Sequence, residues 1–474
     1  MPSGYATPIT RRQFLAAVAV TGTSCARLHI SSGVTMRERP NIILCMTDDQ
    51  GWGDVGYHGH PVLQTPNLDS MASSGLRMDR FYAGAPVCSP TRGSCITGRH
   101  PYRYGIHYAN DGHLPPEEVT LAEVLKEQGY VTGHFGKWHL GTLTRTVADS
   151  NRGGPDGAAH YSPPWENGFD RCFSTEAKVP TWNPMLHPET GEPYGTRYWD
   201  ERGEAAVDNL EGADSSVIMD RVIPFIQSAA TSATPFFAVI WFHSPHLPVV
   251  AGPSYLAMYN GVPDRAQHYF GCITAMDEQL GRLRRTLRDL SISDNTMLWF
   301  CSDNGPEGQA GVAPGSAGPF RGRKRDLYEG GIRVPGLLEW PARIREPRTV
   351  TVPCSTLDYF PTVLDALQIE SVAHPEPIDG VSLVPLFEGA MTERPQPIGF
   401  ESRSQIALVG NRYKLISVDS GKTYALFDLR ADPTETDDVA AEHPRVVAEM
   451  KRTLDGWRAA CAASEAGKDY DGTS

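Results

Sequence analysis

Residues 41–49 read NIILCMTDD, a nearly unbroken apolar run that ends in two aspartates. Because successive side chains of a strand point to opposite faces, a run without polar alternation indicates a strand buried on both faces, as in a parallel sheet. Ligands of parallel sheets collect at the carboxyl ends of the strands. We therefore expect Asp48 and Asp49 to lie at a functional site.

The same order of apolar strand, polar loop and helix returns along the chain. Strands are predicted within residues 130–138 (YVTGHFGKW), 234–246 (TPFFAVIWFHSPH) and 296–305 (TMLWFCSDNG), and helices within 65–75, 120–129 and about 266–290. We expect Thr65 to cap the first helix and Gly75 to end it. The alternation predicts an α/β fold, in which helices cover both faces of a large, mostly parallel sheet.

The pattern changes after about Phe387. Short segments at residues 397–402, 405–418 and 424–438 predict a small antiparallel sheet, and residues 444–460 predict a last helix. These changes of pattern divide the chain into an export signal and linker (1–36), a catalytic domain (37–387) and a C-terminal α+β subdomain (388–474).

The N-terminus resembles a targeting signal. Residues 10–28 read TRRQFLAAVAVTGTSCARL, with a twin arginine ahead of an apolar stretch too short to span a bilayer. This layout is typical of a Tat export signal and predicts a periplasmic or extracellular protein. Two alternatives remain: an amphipathic first helix, and a lipid anchor at Cys25, against which Gly22 stands where a bulky aliphatic residue is wanted. No other segment is apolar enough for an integral membrane helix.

Charge and cysteine content exclude several classes of protein. The formal net charge is -13, with 43 basic residues spread along the chain, so no surface for nucleic acid is expected. An anionic substrate would require cations gathered locally. The nine cysteines form no CxxC pair, which excludes a zinc ribbon or a disulfide scaffold but leaves one disulfide open. Cys45 and Cys301 lie in apolar strands and are expected to be buried.

A second polar pair, the carboxylate of Asp303 and the amide of Asn304, lies at the end of the strand predicted within residues 296–305. Each pair alone is typical of a turn, but together they offer four oxygen ligands that suit Ca²⁺, with Mg²⁺ as the alternative. Cys88, at the head of CSPTRG (88–93), fits such a site poorly because a thiol is a weak ligand for a hard cation. It is either a nucleophile or no longer a thiol, and a cysteine protease would need a histidine partner but no oxygen ligands.

The segment CSPTRG resembles the C-x-P-x-R signature of the sulfatase family, and the resemblance covers the chain from about Pro40 to the C-terminus. It is similar in look to the arylsulfatase A and N-acetylgalactosamine-6-sulfatase branch, and it implies the alkaline-phosphatase-like fold. The other family blocks appear in order: MTDDQGWGD (46–54), GKWHLG (136–141), SPH (244–246), SDNG (302–305), FRGRKRDLYEGGIRVP (320–335) and LFDLRADPTE (426–435).

The resemblance implies a sulfuric ester hydrolase. In this family a formylglycine-generating enzyme oxidises the cysteine, here Cys88, to formylglycine (3-oxoalanine). The aldehyde is hydrated, one hydroxyl attacks the sulfur of a sulfate ester at a calcium ion, and the second hydroxyl then expels sulfate. A sulfated carbohydrate is the expected substrate.

The resemblance also assigns roles to residues. Asp48, Asp49, Asp303 and Asn304, together with modified Cys88, are implied to hold the metal. Arg92 is implied to stabilise the hydrate, Lys137 and His139 to bind the hydrate and sulfate, and His246 and Lys324 to bind sulfate and protonate the leaving alcohol. One departure concerns Arg323, which stands where the family commonly has glycine, so the orientation of Lys324 is an open question.

Two other functions remain open at this stage: a phosphoester or phosphonate monoester hydrolase of the same superfamily, and an inactive relative that binds sulfated glycans. The loops between Gly141 and Asp200 carry aromatic residues that either stack on sugars or cover a satellite core. These are Tyr161, Trp165, Trp182, Tyr194, Tyr198 and Trp199, with His107, His113, His187 and Arg197 as further candidates for the pocket lining.

Overall fold

The structure is a computed structural model that describes residues 39–370 and 372–470. The predicted export signal, with its twin arginine and Cys25, lies outside the described residues. Sixteen strands are described: β1 (Asn41–Thr47), β2 (Leu76–Met78), β3 (Phe81–Tyr82), β4 (Val131–Lys137), β5 (Arg171–Thr175), β6 (Trp199–Asp200), β7 (Phe236–Trp241), β8 (Thr296–Ser302), β9 (Arg333–Val334), β10 (Gly336–Glu339), β11 (Arg348–Val350), β12 (Cys354–Ser355), β13 (Ile398–Ser402), β14 (Gln405–Val409), β15 (Tyr413–Ser417) and β16 (Ala425–Asp428).

Ten α-helices are described over the same ranges: α1 (Pro66–Ser74), α2 (Cys88–Thr97), α3 (Leu121–Glu127), α4 (Asp214–Thr231), α5 (Pro253–Met258), α6 (Asp264–Asp289), α7 (Glu329–Ile332), α8 (Tyr359–Ala366), α9 (Val384–Phe387) and α10 (Pro444–Glu465). The helices predicted from the sequence therefore form close to their expected bounds, and α10 extends five residues beyond the expected end. Helix α4, which has Pro224 in its interior, was not predicted.

A nine-stranded sheet forms the centre of the molecule, in the order β11-β2-β10-β8-β1-β7-β4-β5-β6. The neighbours β8, β1, β7, β4 and β5 run parallel, whereas β10 and β6 pair antiparallel with their neighbours. The predicted fold class, a mostly parallel sheet between helices, is thus confirmed. The parallel strands all end at one edge, which places the residues that follow them together.

The central strand β1 is buried on both faces, as its apolar run predicts. Ile42, Leu44 and Met46 pack into one hydrophobic core, with side chains of α2, α3 and α8. Ile43 and Cys45 pack into the other, with side chains of α1, α4 and α6. Because each face of the sheet is covered by a hydrophobic core, apolar and polar residues do not alternate along this strand.

The N-terminus of α1 is capped differently from the prediction. The Thr65 side chain makes no capping bond to the helix, because its hydroxyl accepts from the backbone N–H of Gly56 and donates to the Asp69 carboxylate. The free N–H groups of Asn67 and Leu68 donate to the carboxylate of Asp277 in α6, at 3.0 and 2.8 Å. A neighbouring helix therefore supplies the cap that the local sequence appeared to contain, while Gly75 does follow the last helical residue.

The predicted C-terminal sheet is present, with β13, β14, β15 and β16 antiparallel in chain order and α10 following them. Its residue Lys414 is fully buried and forms an ion pair with Glu329 of α7, at 3.1 Å. The sheet therefore contacts the loop of residues 320–332 that carries Lys324.

No helix among the described residues is long and apolar enough to cross a membrane. The eight cysteines in the described part of the chain are buried and unpaired, including Cys45 and Cys301, which were expected to be buried.

Candidate active site

The two polar pairs meet at the carboxyl edge of the central sheet, immediately after β1 and its neighbour β8. The backbone N–H of Asp49 donates to Oδ1 of Asp303 at 3.0 Å, and the amide of Asn304 donates to Oδ1 of Asp49 at 2.7 Å. All of these side chains are buried. Asp49 has a φ of 68°, which interrupts the alternation of the strand and leaves ligand oxygens of Asp48 and Asp49 within 4.8 Å of each other.

Cys88 is the first residue of α2, a helix in which every side chain is buried. The segment of residues 83–87, which contains Gly84 and Pro86, is irregular, and the helix begins at Cys88 itself. The thiol Sγ lies 3.5 Å from Oδ1 of Asp48. Burial raises the pKa of this thiol above its usual value, and the nearby Lys137 lowers it less than burial raises it.

Three basic side chains fill the space around the carboxylates. Lys137, the last residue of β4, donates to Oδ2 of Asp48 at 2.7 Å, and Lys324 lies 2.6 Å from Oδ1 of Asp49. Arg92 donates to Oδ2 of Asp303 at 2.6 Å. Arg323 does not disturb this arrangement, because its guanidinium donates to the backbone carbonyls of Glu307 and Gly315 while Lys324 points to Asp49.

The carboxylates respond differently to this environment. Burial raises the pKa of Asp48, but Lys137, His246 and Arg92 lower it further and hold it well below the usual range. Burial, followed by the negative charge of Asp48, raises the pKa of Asp303 to about 7. Three carboxylates so close together disfavour one another's ionised forms unless cations balance them.

His246 joins this cluster from the loop after β7. Its Nε2 lies 3.6 Å from Oδ2 of Asp49, and its Nδ1 lies 2.7 Å from the Leu247 carbonyl oxygen. Burial lowers its pKa to about 4. Ligand atoms of Asp48, Asp49, Cys88 and His246 all lie within 4.8 Å of one another, so His246 is closer to the expected metal site than the sequence pattern indicated.

His139, two residues past the end of β4, is held by a residue that the sequence pattern did not identify. Its Nε2 lies 2.9 Å from Oδ1 of Asn110, and the amide of Asn151 donates to the same oxygen at 3.0 Å. Because a carbonyl oxygen only accepts, Nε2 of His139 carries the proton. Its Nδ1 is then the free acceptor, and within the described residues this buried atom has no partner.

Asn110 has a φ of 68°, a conformation that asparagine tolerates better than most residues. The sequence signal for it is the Asn-Asp-Gly run at residues 110–112, which indicates a turn but not a role in the site.

The donor set fits a hard divalent cation. Within the described chain, Oδ1 of Asn304 is buried and accepts no hydrogen bond, although buried polar oxygens normally have a partner. This oxygen stands beside three buried carboxylates, and oxygen ligands of these kinds are those that Ca²⁺ and Mg²⁺ prefer. The cluster can therefore hold such an ion with Asp48, Asp49, Asp303 and Asn304.

A pocket of about 290 Å³ opens onto the cluster, lined by Cys88, Lys137, His139, His246 and Lys324 among others. A larger cavity of about 800 Å³ lies elsewhere, near the amino ends of β4 and β5. It contains none of the predicted catalytic residues. Five of the six predicted catalytic residues therefore line the smaller pocket: Cys88, Lys137, His139, His246 and Lys324.

The aromatic side chains of residues 141–200 do not line this pocket. Tyr198 and Trp199 are buried in the two main cores, and Trp165 packs against one of them. Core packing is therefore the observed role of Tyr198, Trp199 and Trp165, whereas the choice between the two alternatives stays a prediction for Tyr161, Trp182 and Tyr194. The pocket wall contains a different aromatic residue, Tyr108. His107 is not in the lining either, and it pairs with Glu465 at 3.0 Å.

Comparison with known proteins gives a consistent result. Residues 40–369 match the family described as Sulfatase, and residues 318–460 match the one described as N-sulphoglucosamine sulphohydrolase, C-terminal. The chain is 34% identical to N-acetylgalactosamine-6-sulfatase of Canis lupus familiaris, over 75% of this chain and 67% of that protein. It is 32% identical to Arylsulfatase A of Bos taurus, over 86% of this chain and 80% of that protein.

The fold is also similar to that of solved structures. One is Ps i-CgsB in complex with k-i-k-neocarrahexaose, with a TM-score of 0.76 and 26% sequence identity. The match covers 88% of this chain and 92% of that one.

Proposed function

The chain belongs to the sulfatase family and is a sulfuric ester hydrolase, and we propose that its nucleophile is an oxygen of residue 88 after oxidation of the Cys88 thiol to formylglycine. The observation that carries this proposal is the place of Cys88, buried 3.5 Å from a carboxylate oxygen of Asp48. Burial raises the pKa of its thiol, which disfavours the thiolate that a cysteine nucleophile requires. An aldehyde hydrate at this position would instead present oxygens to the cluster.

We propose Ca²⁺ as the resident metal, held by Asp48, Asp49, Asp303 and Asn304, with Mg²⁺ as the alternative. When bound, such an ion favours the deprotonated form of a neighbouring hydroxyl. The unpartnered oxygen of Asn304 and the three buried carboxylates support this assignment.

The basic side chains supply the positive charge that a sulfate ester requires. Lys137, Lys324 and Arg92 are buried or nearly so, and each is already held in place by a carboxylate. Such fixed cations stabilise charge that develops on sulfate oxygens in the transition state without having to reorganise. Arg92 also donates to the Lys137 carbonyl at 3.0 Å, which ties α2 to the end of β4.

The two histidines and Lys324 can assist proton transfer. Nδ1 of His139 is a free acceptor that can take a proton when sulfate leaves residue 88. His246 lines the same pocket beside Lys324, and we propose that the pair binds sulfate and assists the departing alcohol, with the Lys324 ammonium as the group that carries the proton.

The proposed substrate is a sulfated carbohydrate, and the proposed maturation partner is a formylglycine-generating enzyme. The names of one relative, N-acetylgalactosamine-6-sulfatase, and of one structural neighbour, a complex with neocarrahexaose, support a sugar substrate. The twin-arginine motif supports export through the Tat route to the periplasm or beyond. The division at residues 36 and 387 into signal, catalytic domain and C-terminal subdomain remains part of the proposal.

The test compares the release of inorganic sulfate from 4-nitrophenyl sulfate with that of phosphate from 4-nitrophenyl phosphate. We expect a clear preference for the sulfate, and mass spectrometry of the peptide around residue 88 should show an aldehyde that reacts with a hydrazide. Cys88→Ala should abolish activity, whereas Cys95→Ala, which alters a buried cysteine of the same helix, should retain it. A protein that prefers the phosphate ester, or that is fully active with an unmodified thiol, would contradict the proposal.

A further inference from the structure

The basic side chains that line the active-site pocket differ in whether a carboxylate pairs with them. Three of them are paired. Lys137 and Lys324 are paired with Asp48 and Asp49 at the base of the pocket. Arg325, on the rim, is paired with both carboxylate oxygens of Glu307, at 2.7 and 2.8 Å. The charges of these three residues are therefore largely balanced within the protein.

Lys178 is different. It lies three residues beyond the end of β5, its side chain is partly buried, and it lines the same pocket as Cys88 and His246. Within the described residues its ammonium group has no hydrogen bond and no ion pair. A partly desolvated ammonium without a partner costs free energy, which a ligand anion would recover.

A second cation without a carboxylate partner among the described residues, Arg403, lies over a residue of the pocket wall. Arg403, in the turn between β13 and β14, is exposed and has a φ of 55°. Its guanidinium lies 3.8 Å from the centre of the ring of Tyr108, and Tyr108 lines the pocket. No carboxylate pairs with Arg403 in the described part of the chain. The C-terminal sheet thereby brings a positive charge to the mouth of the site.

The mouth also offers neutral donors. The side chains of Asn110 and Asn151 line it, and the pocket volume of about 290 Å³ lies at the lower end of the range for small-ligand sites. Amide groups next to an unpaired ammonium are suited to a sugar ring that carries an anionic substituent.

We infer that Lys178, with Arg403, binds a second anionic group of the substrate, a carboxylate or another sulfate, in addition to the sulfate ester that is cleaved. The inference rests on the proposed function and narrows its substrate to saccharides with at least two anionic groups. Because the chain carries a net charge of -13, such a substrate is attracted only where cations are locally in excess.

The experiment uses a sulfated disaccharide that contains a hexuronate, and its carboxyl-reduced analogue, which differs only in one charge. A second matched pair is a hexose with one sulfate and the same hexose with two. The ratio of kcat/KM within each pair is measured by sulfate release. We expect the wild type to favour the more charged member by about 10-fold, as for a hydrogen bond to a charged group.

Lys178→Met keeps the aliphatic stem and removes the charge, and it should bring this ratio close to one. Hydrolysis of 4-nitrophenyl sulfate, which has no second anion, should stay within about twofold of wild type. Arg403→Gln should lower the ratio less, because Arg403 is more exposed. Lys422→Met, which alters an exposed lysine of the C-terminal sheet, is the matched control and should change neither value.

The outcomes separate the two proposals. A wild-type ratio near one, or a ratio that Lys178→Met leaves unchanged, overturns the second-anion inference while 4-nitrophenyl sulfate is still hydrolysed. Failure of the wild type to release sulfate from any of these compounds overturns the proposed function and the inference with it.

Discussion

The protein contains two buried clusters, and each combines acidic with basic side chains. The two clusters differ in their surroundings. We define the active-site cluster as Asp48, Asp49, Asp303, Arg92, Lys137 and Lys324, and the junction cluster as Glu329, Arg333, Lys414 and Glu435. In the junction cluster, Lys414 lies 3.1 Å from Glu329 and 2.8 Å from Glu435. It joins the C-terminal sheet to the loop that carries Lys324.

The clusters differ in what surrounds the charges. The active-site cluster opens onto a pocket and lies beside Oδ1 of Asn304, a buried acceptor that has no partner among the described residues. In the junction cluster, Glu329 accepts bonds from the Tyr82 hydroxyl and Lys414, and Glu435 accepts from the backbone N–H of Glu329. Burial raises the pKa of Glu329, but the charges of Lys414, Arg333 and Arg80 together lower it by more, so the net pKa is below the usual value.

The difference shows that a buried ion pair between a carboxylate and a basic side chain can stabilise a fold or can line a binding site. Buried charges are costly unless their partners satisfy them, and removal of one partner leaves an uncompensated charge. The junction cluster satisfies its charges within the protein. The active-site cluster faces a pocket and lies beside an acceptor without a partner among the described residues, so under the proposed function its stability should depend on ligands.

The largest expected effect is on activity. Asp303→Asn removes one proposed metal ligand and should lower kcat for 4-nitrophenyl sulfate by more than about 10³-fold. The free energy of unfolding without added metal should fall less than for a broken buried ion pair, because the substitution removes the closest partner of the buried Arg92 but also relieves repulsion among three crowded carboxylates. Steady-state assays and urea unfolding measure the two quantities. Near-normal activity of this variant would place the metal site elsewhere.

The junction cluster should respond in the opposite way. Lys414→Met leaves the buried Glu435 without a cation and Glu329 with Arg333 alone, and it should lower the free energy of unfolding by about 3–5 kcal/mol. Urea unfolding measures this, with Lys422→Met as the exposed control, which should stay within about 0.5 kcal/mol of wild type. Adding Glu329→Gln and Glu435→Gln to Lys414→Met should restore much of the loss. A Lys414→Met protein as stable as wild type would show that the junction charges are not a structural element.

Calcium should distinguish the clusters directly. An ion that binds only the folded state stabilises it by about 2.7 kcal/mol at a concentration 100 times its Kd. The Tm of the wild type should rise when Ca²⁺ is added and should return to its original value when a chelator removes the ion. Lys414→Met should keep the shift, and Asp303→Asn should lose most of it. Equal shifts in these two variants would mean that calcium acts outside the active-site cluster.

The smallest expected effect concerns His139. Asn110→Ala removes the acceptor that fixes the protonated nitrogen, and it should lower kcat by about 10–100-fold with little change in KM, as for other residues that orient a catalytic group. Asn110→Asp preserves an oxygen acceptor and should retain most of the activity. If both variants lose activity equally, the role of Asn110 is not to orient the histidine.

The sequence allowed much of this arrangement to be predicted, because strong local patterns coincide with it. The apolar runs of β1 and β8 are long enough to be recognised as buried strands, so the residues that follow them could be expected at one sheet edge. Short or irregular elements lacked such a signal. Strand β6 is two residues long, and α4 contains an interior proline. The positions of Asn110 and Lys178 in the pocket depend on loops whose course no local pattern specifies.

By itself, the sequence determined the class of fold, the family and the residue types that meet at the carboxyl edge, since hydrophobic periodicity and motif spacing are local properties. Only the tertiary structure decided which residue caps α1, which histidine nitrogen is free, that the aromatic loop side chains Trp165, Tyr198 and Trp199 pack in the core, and that Lys178 lacks a partner. These features depend on distances between segments far apart in the chain. They are therefore set by packing, which no short stretch of sequence encodes.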